Sequence, residues 1–134
     1  MCGAIRYRLH GPFTYSAHCH CRSCQRAIGA GYATYSAVKT KNFELLQGDP
    51  AIYRSSPGVE RGFCRQCGTS LSYAGDDWDD FAVMSATLDD PSAAAPTANA
   101  YTKDRLPWVA LNEELKNYHK FPERKPRGKA HHDC

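Results

Sequence analysis

Three cysteines fall within six positions of the stretch His18-Cys19-His20-Cys21-Arg22-Ser23-Cys24-Gln25-Arg26. In an extended segment alternate side chains leave on opposite faces, so Cys19 and Cys21 point one way and His18 and His20 the other. The two-residue gap from Cys21 to Cys24 lets a tight turn bring both sulfurs to one metal ion. The stretch thus offers three thiolates and no obvious fourth ligand. Structural zinc sites are closed by four protein ligands, whereas catalytic ones commonly keep three and an open position. Three thiolates leave a bound zinc with one formal negative charge, where four would leave two, and this makes it the better Lewis acid. Cys19, Cys21 and Cys24 are therefore the candidate catalytic group, read as an open zinc site.

A second group follows at Cys64-Arg65-Gln66-Cys67-Gly68. Its two thiolates have zinc-knuckle spacing, and the glycine is placed to turn left-handed and leave backbone amides free to bond sulfur. A closed site needs two further ligands. Cys2, just before a strand, is one candidate, and an incidental cysteine is the competing reading. Cys134, at the end of a tail, is expected to stay unpaired. The seven cysteines are an odd number in short-spaced groups without a signal-peptide pattern. They read as metal ligands in a cytoplasmic chain ahead of disulfides or free thiols. Zinc is the first choice for sulfur-rich tetrahedral sites, with iron as the rival.

The elements that must carry these ligands are short. Gly3 to Leu9, Tyr15 to Cys21, Tyr32 to Val38, Phe43 to Leu46, Ala51 to Arg54, Val59 to Phe63, Ser70 to Ala74 and Phe81 to Thr87 read as strands. Gly-Pro and Gly-Asp-Pro turns separate several of them. Gln25 to Ile28 is expected to make one helical turn whose first amides face the thiolates. After Leu88 a loop rich in Pro, Ala, Ser and Thr leads to Tyr101–Leu111, which is expected to return to the sheet with Leu106-Pro107-Trp108 as an apolar anchor. The 134 residues fit one domain with one core. The reading is a mainly β, zinc-stabilised domain of short antiparallel strands over residues 1–115. A basic tail over 116–134 is expected to be disordered, having little apolar surface to offset ordering entropy.

The formal net charge of +3 belongs to that tail: residues 1–115 hold 11 basic and 12 acidic side chains, and residues 116–134 hold 6 and 2. No run of about 18 apolar residues exists, so no membrane span is expected.

The segments Cys-Gly-Ala-Ile-Arg-Tyr, His-Cys-His-Cys-Arg-Ser-Cys-Gln-Arg and Phe-Cys-Arg-Gln-Cys-Gly-Thr-Ser-Leu, in this order from residue 2 to about residue 73, resemble the glutathione-dependent formaldehyde-activating enzyme family. Centromere protein V shares that domain, and Leu106-Pro107-Trp108 resembles a later family element. The resemblance implies a small β-tent fold with two zincs. It assigns Cys2, Cys64 and Cys67 to a structural zinc, and Cys19, Cys21 and Cys24 to the catalytic one. The family's first cysteine would fall immediately before Met1, so the structural site is expected either to gain a ligand from an upstream start or to be completed otherwise and be weaker. Where the family often has His-Ile, this chain has Asn99-Ala100.

The implied activity is a carbon–sulfur lyase type of reaction, an S-(hydroxymethyl)glutathione synthase-like addition of a glutathione-like thiol to formaldehyde or a related small aldehyde. Arg22 and Arg26 could meet the substrate's carboxylates or stand as solvated surface arginines. His18 and His20 are expected to play a structural or supporting part, turned away from the metal. The Asp76–Asp80 cluster reads as a solvated turn, and Tyr32, Tyr35, Tyr53 and Tyr73 as core or sheet-face residues. The alternative is a non-catalytic zinc module whose basic tail contacts nucleic acid or another polyanion, although nucleic-acid domains are usually far more basic.

Overall fold

The computed structural model describes residues 1–121. Among the described residues, ten strands and one α-helix follow the sequence punctuation closely. In order they are β1 (Arg6–Leu9), β2 (Tyr15–Cys19), α1 (Arg22–Ile28), β3 (Ala33–Lys39), β4 (Phe43–Gln47), β5 (Ala51–Ser56), β6 (Val59–Phe63), β7 (Ser70–Gly75), β8 (Asp80–Met84), β9 (Ala98–Ala100) and β10 (Lys116–Asn117), with four short 3-10 turns between them. Eight strands form one sheet in the order β10-β9-β2-β3-β8-β7-β6-β5, while β1 and β4 pair as a separate ribbon. The pairings are antiparallel except where β9 lies between β2 and β10, both of which it meets in parallel.

β3 is the central strand because its residues are small or β-branched on both faces: Ala33, Ser36, Ala37 and Val38 are all fully buried. Register then assigns the two faces. Tyr53, Arg61, Tyr73, Ala82, Ala37 and Tyr15 pair in one row across six strands. Side chains directly opposite one another in a sheet share a face. Two residues along β2 from Tyr15 is Ala17, and two further is Cys19, so the cysteine lies on that same face. There α1 covers the sheet, and Cys19, Cys21, Cys24, Tyr35 and Tyr73 pack into the main core. The opposite face carries a buried hydroxyl chain, in which Ser36 Oγ lies 2.9 Å from Ser16 Oγ and 2.7 Å from Ser85 Oγ. The β1–β4 ribbon closes over that side, enclosing a mainly apolar cavity of about 260 Å³ among Ile5, Phe43, Leu71 and Phe81.

The structure corrects several expectations. The strand expected over Phe81–Thr87 ends at Met84, and Ser85–Thr87 turns as a 3-10 helix. The return to the sheet is made by Ala98–Ala100, not by Tyr101–Leu111. Tyr101 adopts φ 56° and ψ 43°, a left-handed conformation in which a strand cannot continue. Leu106-Pro107-Trp108 does not anchor the chain, because Trp108 is 77% exposed. The expected start of disorder at Lys116 falls inside β10, and Phe121 packs edge-on against Tyr15 with ring centroids 5.2 Å apart. Residues 116–121 therefore belong to the folded unit; the remainder of the tail, with Cys134, lies outside the described residues.

Candidate metal centres and the cavities beside them

Cys19 ends β2, and Cys21 is the N-cap of α1, where its Sγ accepts a hydrogen bond from the Cys24 backbone amide at 3.4 Å. The helix begins three residues earlier than expected, which draws Cys24 into its first turn. Gly29 ends it with φ 66°, donating its amide to Gln25 O. The buried Gln25 side chain ties the loop in place, donating from Nε2 to His20 O at 2.7 Å and to Asp104 O at 2.9 Å. The result is that the sulfurs of Cys19, Cys21 and Cys24, all buried, lie within 4.8 Å of one another.

A second trio, Cys2, Cys64 and Cys67, meets the same distance limit nearer the surface. Gly68 takes φ 73°, as its place after the knuckle requires, and its amide bonds Cys64 O at 2.8 Å. Thr69 lies with its hydroxyl 3.1 Å from Cys67 Sγ, and bonds from Thr69 hold the Cys67 thiol down to about 6, so that it is ready to ligate as a thiolate. Two thiolates on one tetrahedral zinc, each at about 2.3 Å, stand about 3.8 Å apart. Cys2 Sγ and Cys64 Sγ are 3.6 Å apart. Both trios thus fit the dimensions and donor chemistry of a metal ion, and among the described residues no fourth side-chain ligand joins either of them.

His18 and His20 are not part of this convergence. His18 Nδ1 lies 2.8 Å from Thr34 Oγ1, and both imidazoles pack on Tyr32, at 4.6 and 5.1 Å between centroids. Burial lowers the pKa of each ring. Asn99, fully buried, donates from Nδ2 to Asn117 Oδ1 and Asn112 O and turns its Oδ1 toward His20 Nε2 at 3.5 Å. The acidic turn is a set of ion pairs at the surface, Arg54 with Asp76 and Lys39 with Asp79 and Asp80. Tyr35 and Tyr73 are core residues, while Tyr32 and Tyr53 are exposed.

Two cavities lie near the Cys19–Cys21–Cys24 trio, one lined by none of the three cysteines but by their neighbours Ser23, Tyr35 and Arg61, the other bounded by Cys19 and Cys24 themselves. The first is open, about 660 Å³, and takes Arg22, Arg26, Arg61, Tyr35, Ser23 and Tyr53 among its walls. That volume lies within the usual range of small-molecule sites. Arg22 is held by Gln25 Oε1 at 2.9 Å. The other cavity is small, about 20 Å³, bounded by Cys19 and Cys24 on the metal side and otherwise chiefly by the rings of Tyr15, Tyr35, Tyr73, Tyr101 and Phe121. Tyr35 borders both.

Arg61 is the residue that sequence reasoning missed. It donates from Nη1 to Tyr35 Oη at 3.0 Å and from Nη2 to Ser23 Oγ at 3.1 Å, and Nη2 stands 4.0 Å from Cys24 Sγ. Its guanidinium also lies 4.5 Å from the centroid of the Tyr73 ring. A fixed cation beside three sulfurs favours their thiolate forms. Burial and the nearby Cys24 sulfur meanwhile push the Tyr35 hydroxyl far above the ordinary phenol range. Nothing in the local sequence around Arg61 marks it, since only the β6–β7 register puts it on the face of the cysteines. Tyr15 did carry a signal, standing two strand periods before Cys19.

The sequence model of the family described as "Glutathione-dependent formaldehyde-activating enzyme" matches residues 1–104. No curated protein matches the chain. A crystal structure of a Rhodobacter sphaeroides protein superposes with a TM-score of 0.54 at 21% identity, covering 66% of this chain and 83% of that one, a likeness of fold. No helix among the described residues is long and apolar enough to cross a membrane.

Proposed function

The chain belongs to the glutathione-dependent formaldehyde-activating enzyme family, and from that premise we propose that it is a zinc-dependent, carbon–sulfur lyase type of enzyme adding a glutathione-like thiol to formaldehyde or a related small aldehyde. The observation that carries the reading is the buried trio Cys19, Cys21 and Cys24, which meets a cavity with room for one very small guest and is joined through Arg61 and Tyr35 to an open, arginine-lined cavity of molecular size. In the reaction the thiol sulfur forms a bond to the carbonyl carbon, the carbon–oxygen π bond opens, and the thiol proton ends on the new hydroxyl. No oxidant or reductant is needed.

Zinc held by Cys19, Cys21 and Cys24 would supply Lewis acidity and favour the thiolate form of a thiol substrate, whose unperturbed pKa is about 8.5. The protein's own groups bind and orient. Arg22 and Arg26 stand on α1 at the rim of the larger cavity, where the carboxylates of a glutathione-like thiol can pair with them. Arg61 holds Tyr35 and Ser23 in place and adds positive charge beside Cys24. The aromatic walls of the smaller cavity keep water away from the aldehyde. Cys2, Cys64 and Cys67 would hold a second zinc whose part is structural, tying the N-terminus to the β6–β7 turn.

The test is metal content per chain together with adduct formation from glutathione and ¹³C-formaldehyde, followed by NMR against the uncatalysed rate. Two zincs and a clear acceleration are expected. A metal-free protein, or a trio capped by a fourth protein ligand, refutes the reading.

A further inference from the structure

We infer that Phe121, with Tyr15 and Tyr101, closes the small cavity beside Cys19 and Cys24 into a size filter that admits a one-carbon carbonyl compound and turns longer ones away. The inference rests on the aldehyde–thiol reading for its substrate, but its geometry stands separately.

A site needs roughly 10–15 Å³ of water-probe volume to hold a single water molecule. The cavity offers about 20 Å³, enough for one guest of that scale and too little for an added methyl group unless a wall moves. Its walls are not easily moved. Tyr35 and Tyr73 are buried at 5% and 3% exposure and pack on each other at 5.5 Å. Arg61 braces both from the far side, by hydrogen bond to one and over the ring of the other. Tyr101 is held in a left-handed conformation, φ 56°, which non-glycine residues rarely adopt and which persists where surrounding structure over-determines it. Here β9 fixes the chain immediately before it, Ala100 pairing with Cys19 itself, and the Thr102 amide bonds Tyr118 O at 3.1 Å immediately after.

The remaining wall comes from the end of the described chain. β10 runs beside β9, the Tyr118 amide bonds Asn99 O at 2.8 Å, and the following residues carry Phe121 onto the edge of Tyr15. Phe121 lies beyond residues 1–104, the part that the family's sequence model matches. The wall that Phe121 supplies thus comes from outside the matched part of the chain.

The experiment uses the full-length, metal-loaded chain and two variants, Phe121→Leu and Phe121→Ala. Methanol, ethanol and 1-propanol serve as unreactive probes of increasing length, titrated into ¹⁵N-labelled protein and followed by NMR, with contacts to the Tyr15 and Tyr101 rings read from transferred NOEs. Wild type is expected to bind methanol in preference to ethanol and to exclude propanol. Removing the ring is expected to reverse that order, changing the ethanol-to-methanol ratio by about 10-fold or more, the usual discrimination for one carbon in an apolar pocket. In parallel, glutathione is offered formaldehyde or acetaldehyde, and the variants are expected to gain relative rate with acetaldehyde. If Phe121→Ala fails to fold, Phe121→Leu still enlarges the cavity and carries the test. Equal binding of all three alcohols by wild type, or a ratio unchanged in the folded variants, overturns the filter. A normal alcohol series in a chain that does not accelerate the formaldehyde reaction supports the filter and overturns the proposed function.

Discussion

Replacing Arg61 with methionine keeps the unbranched stem of the side chain and removes its charge, both hydrogen bonds and the contact with Tyr73. Two effects separate. For stability, the buried Tyr35 hydroxyl loses a donor, which costs about 1–3 kcal/mol, and the lost cation–π contact adds about 1 kcal/mol. Part of this is offset because a half-buried charge no longer has to be desolvated. The net of about 2–3 kcal/mol should lower Tm by about 10 °C in a domain of this size. For metal affinity, a unit charge 4.0 Å from Cys24 Sγ interacts by about 4 kcal/mol at an effective dielectric of about 20. That is an upper bound, since the guanidinium charge is shared and one side of the cavity is open to water. The expected loss is the 10–100-fold, or about 1.4–2.8 kcal/mol, typical of removing an outer partner of a metal ligand. The assay is zinc competition with a chromophoric chelator on a Cys67→Ser background, so that only the Cys19–Cys21–Cys24 trio reports, with Tm read in parallel. Arg61→Lys separates the causes: it keeps the charge and so most of the affinity, but loses the two-pronged hold on Tyr35 and Ser23 and so much of the Tm. If Arg61→Met binds zinc within twofold of its parent, the cation does not support the thiolates and the reasoning is wrong.

Cys21→Ser should remove one zinc per chain and all turnover while leaving α1 in place, because serine caps a helix at least as well as the sulfur that now accepts from Cys24 N; metal analysis with circular dichroism checks both halves. Ser36→Ala interrupts the buried hydroxyl chain from Ser16 to Ser85, and a cost of about 1–3 kcal/mol is expected in urea unfolding. Gly48→Ala should cost more than about 2 kcal/mol: Gly48 sits at φ +84°, and an added Cβ would meet the Ala4 carbonyl oxygen, a backbone atom, at 2.3 Å. Thermal unfolding measures this, and a variant as stable as wild type would mean that the β1–β4 ribbon can shift freely. Removing zinc with chelator should lower Tm, and the zinc that leaves first should be the one at Cys2, Cys64 and Cys67, where Cys2 is exposed, and not the one in the buried trio.

Local chemistry explains what could be seen without coordinates. Cysteines one and two residues apart bring their sulfurs together through a single turn, so Cys19, Cys21 and Cys24 form a cluster largely wherever the rest of the chain goes, and the same holds for Cys64 and Cys67. Glycine and proline punctuation separates short alternating runs, which made the mainly β architecture and the extent of Val59–Phe63 legible. Where the reading failed, the cause was nonlocal. Leu106-Pro107-Trp108 is apolar enough to suggest an anchor, yet among the described residues Trp108 stays 77% exposed. Lys116 and its neighbours are polar enough to suggest disorder, yet β9 offers an open edge that orders them.

The sequence by itself determined that the sulfurs of Cys19, Cys21 and Cys24 gather, and those of Cys64 and Cys67, on a small β scaffold; that Cys2 joins the second pair is a long-range contact of the fold. Only the tertiary structure decided what those sulfurs face. Arg61 reaches Cys24, and Phe121 meets Tyr15, through strand register summed across the sheet. A one-residue slip in any pairing would turn those side chains to the other face. A cavity wall has no sequence signature of its own, because its size is set by contacts among residues that no local spacing relates.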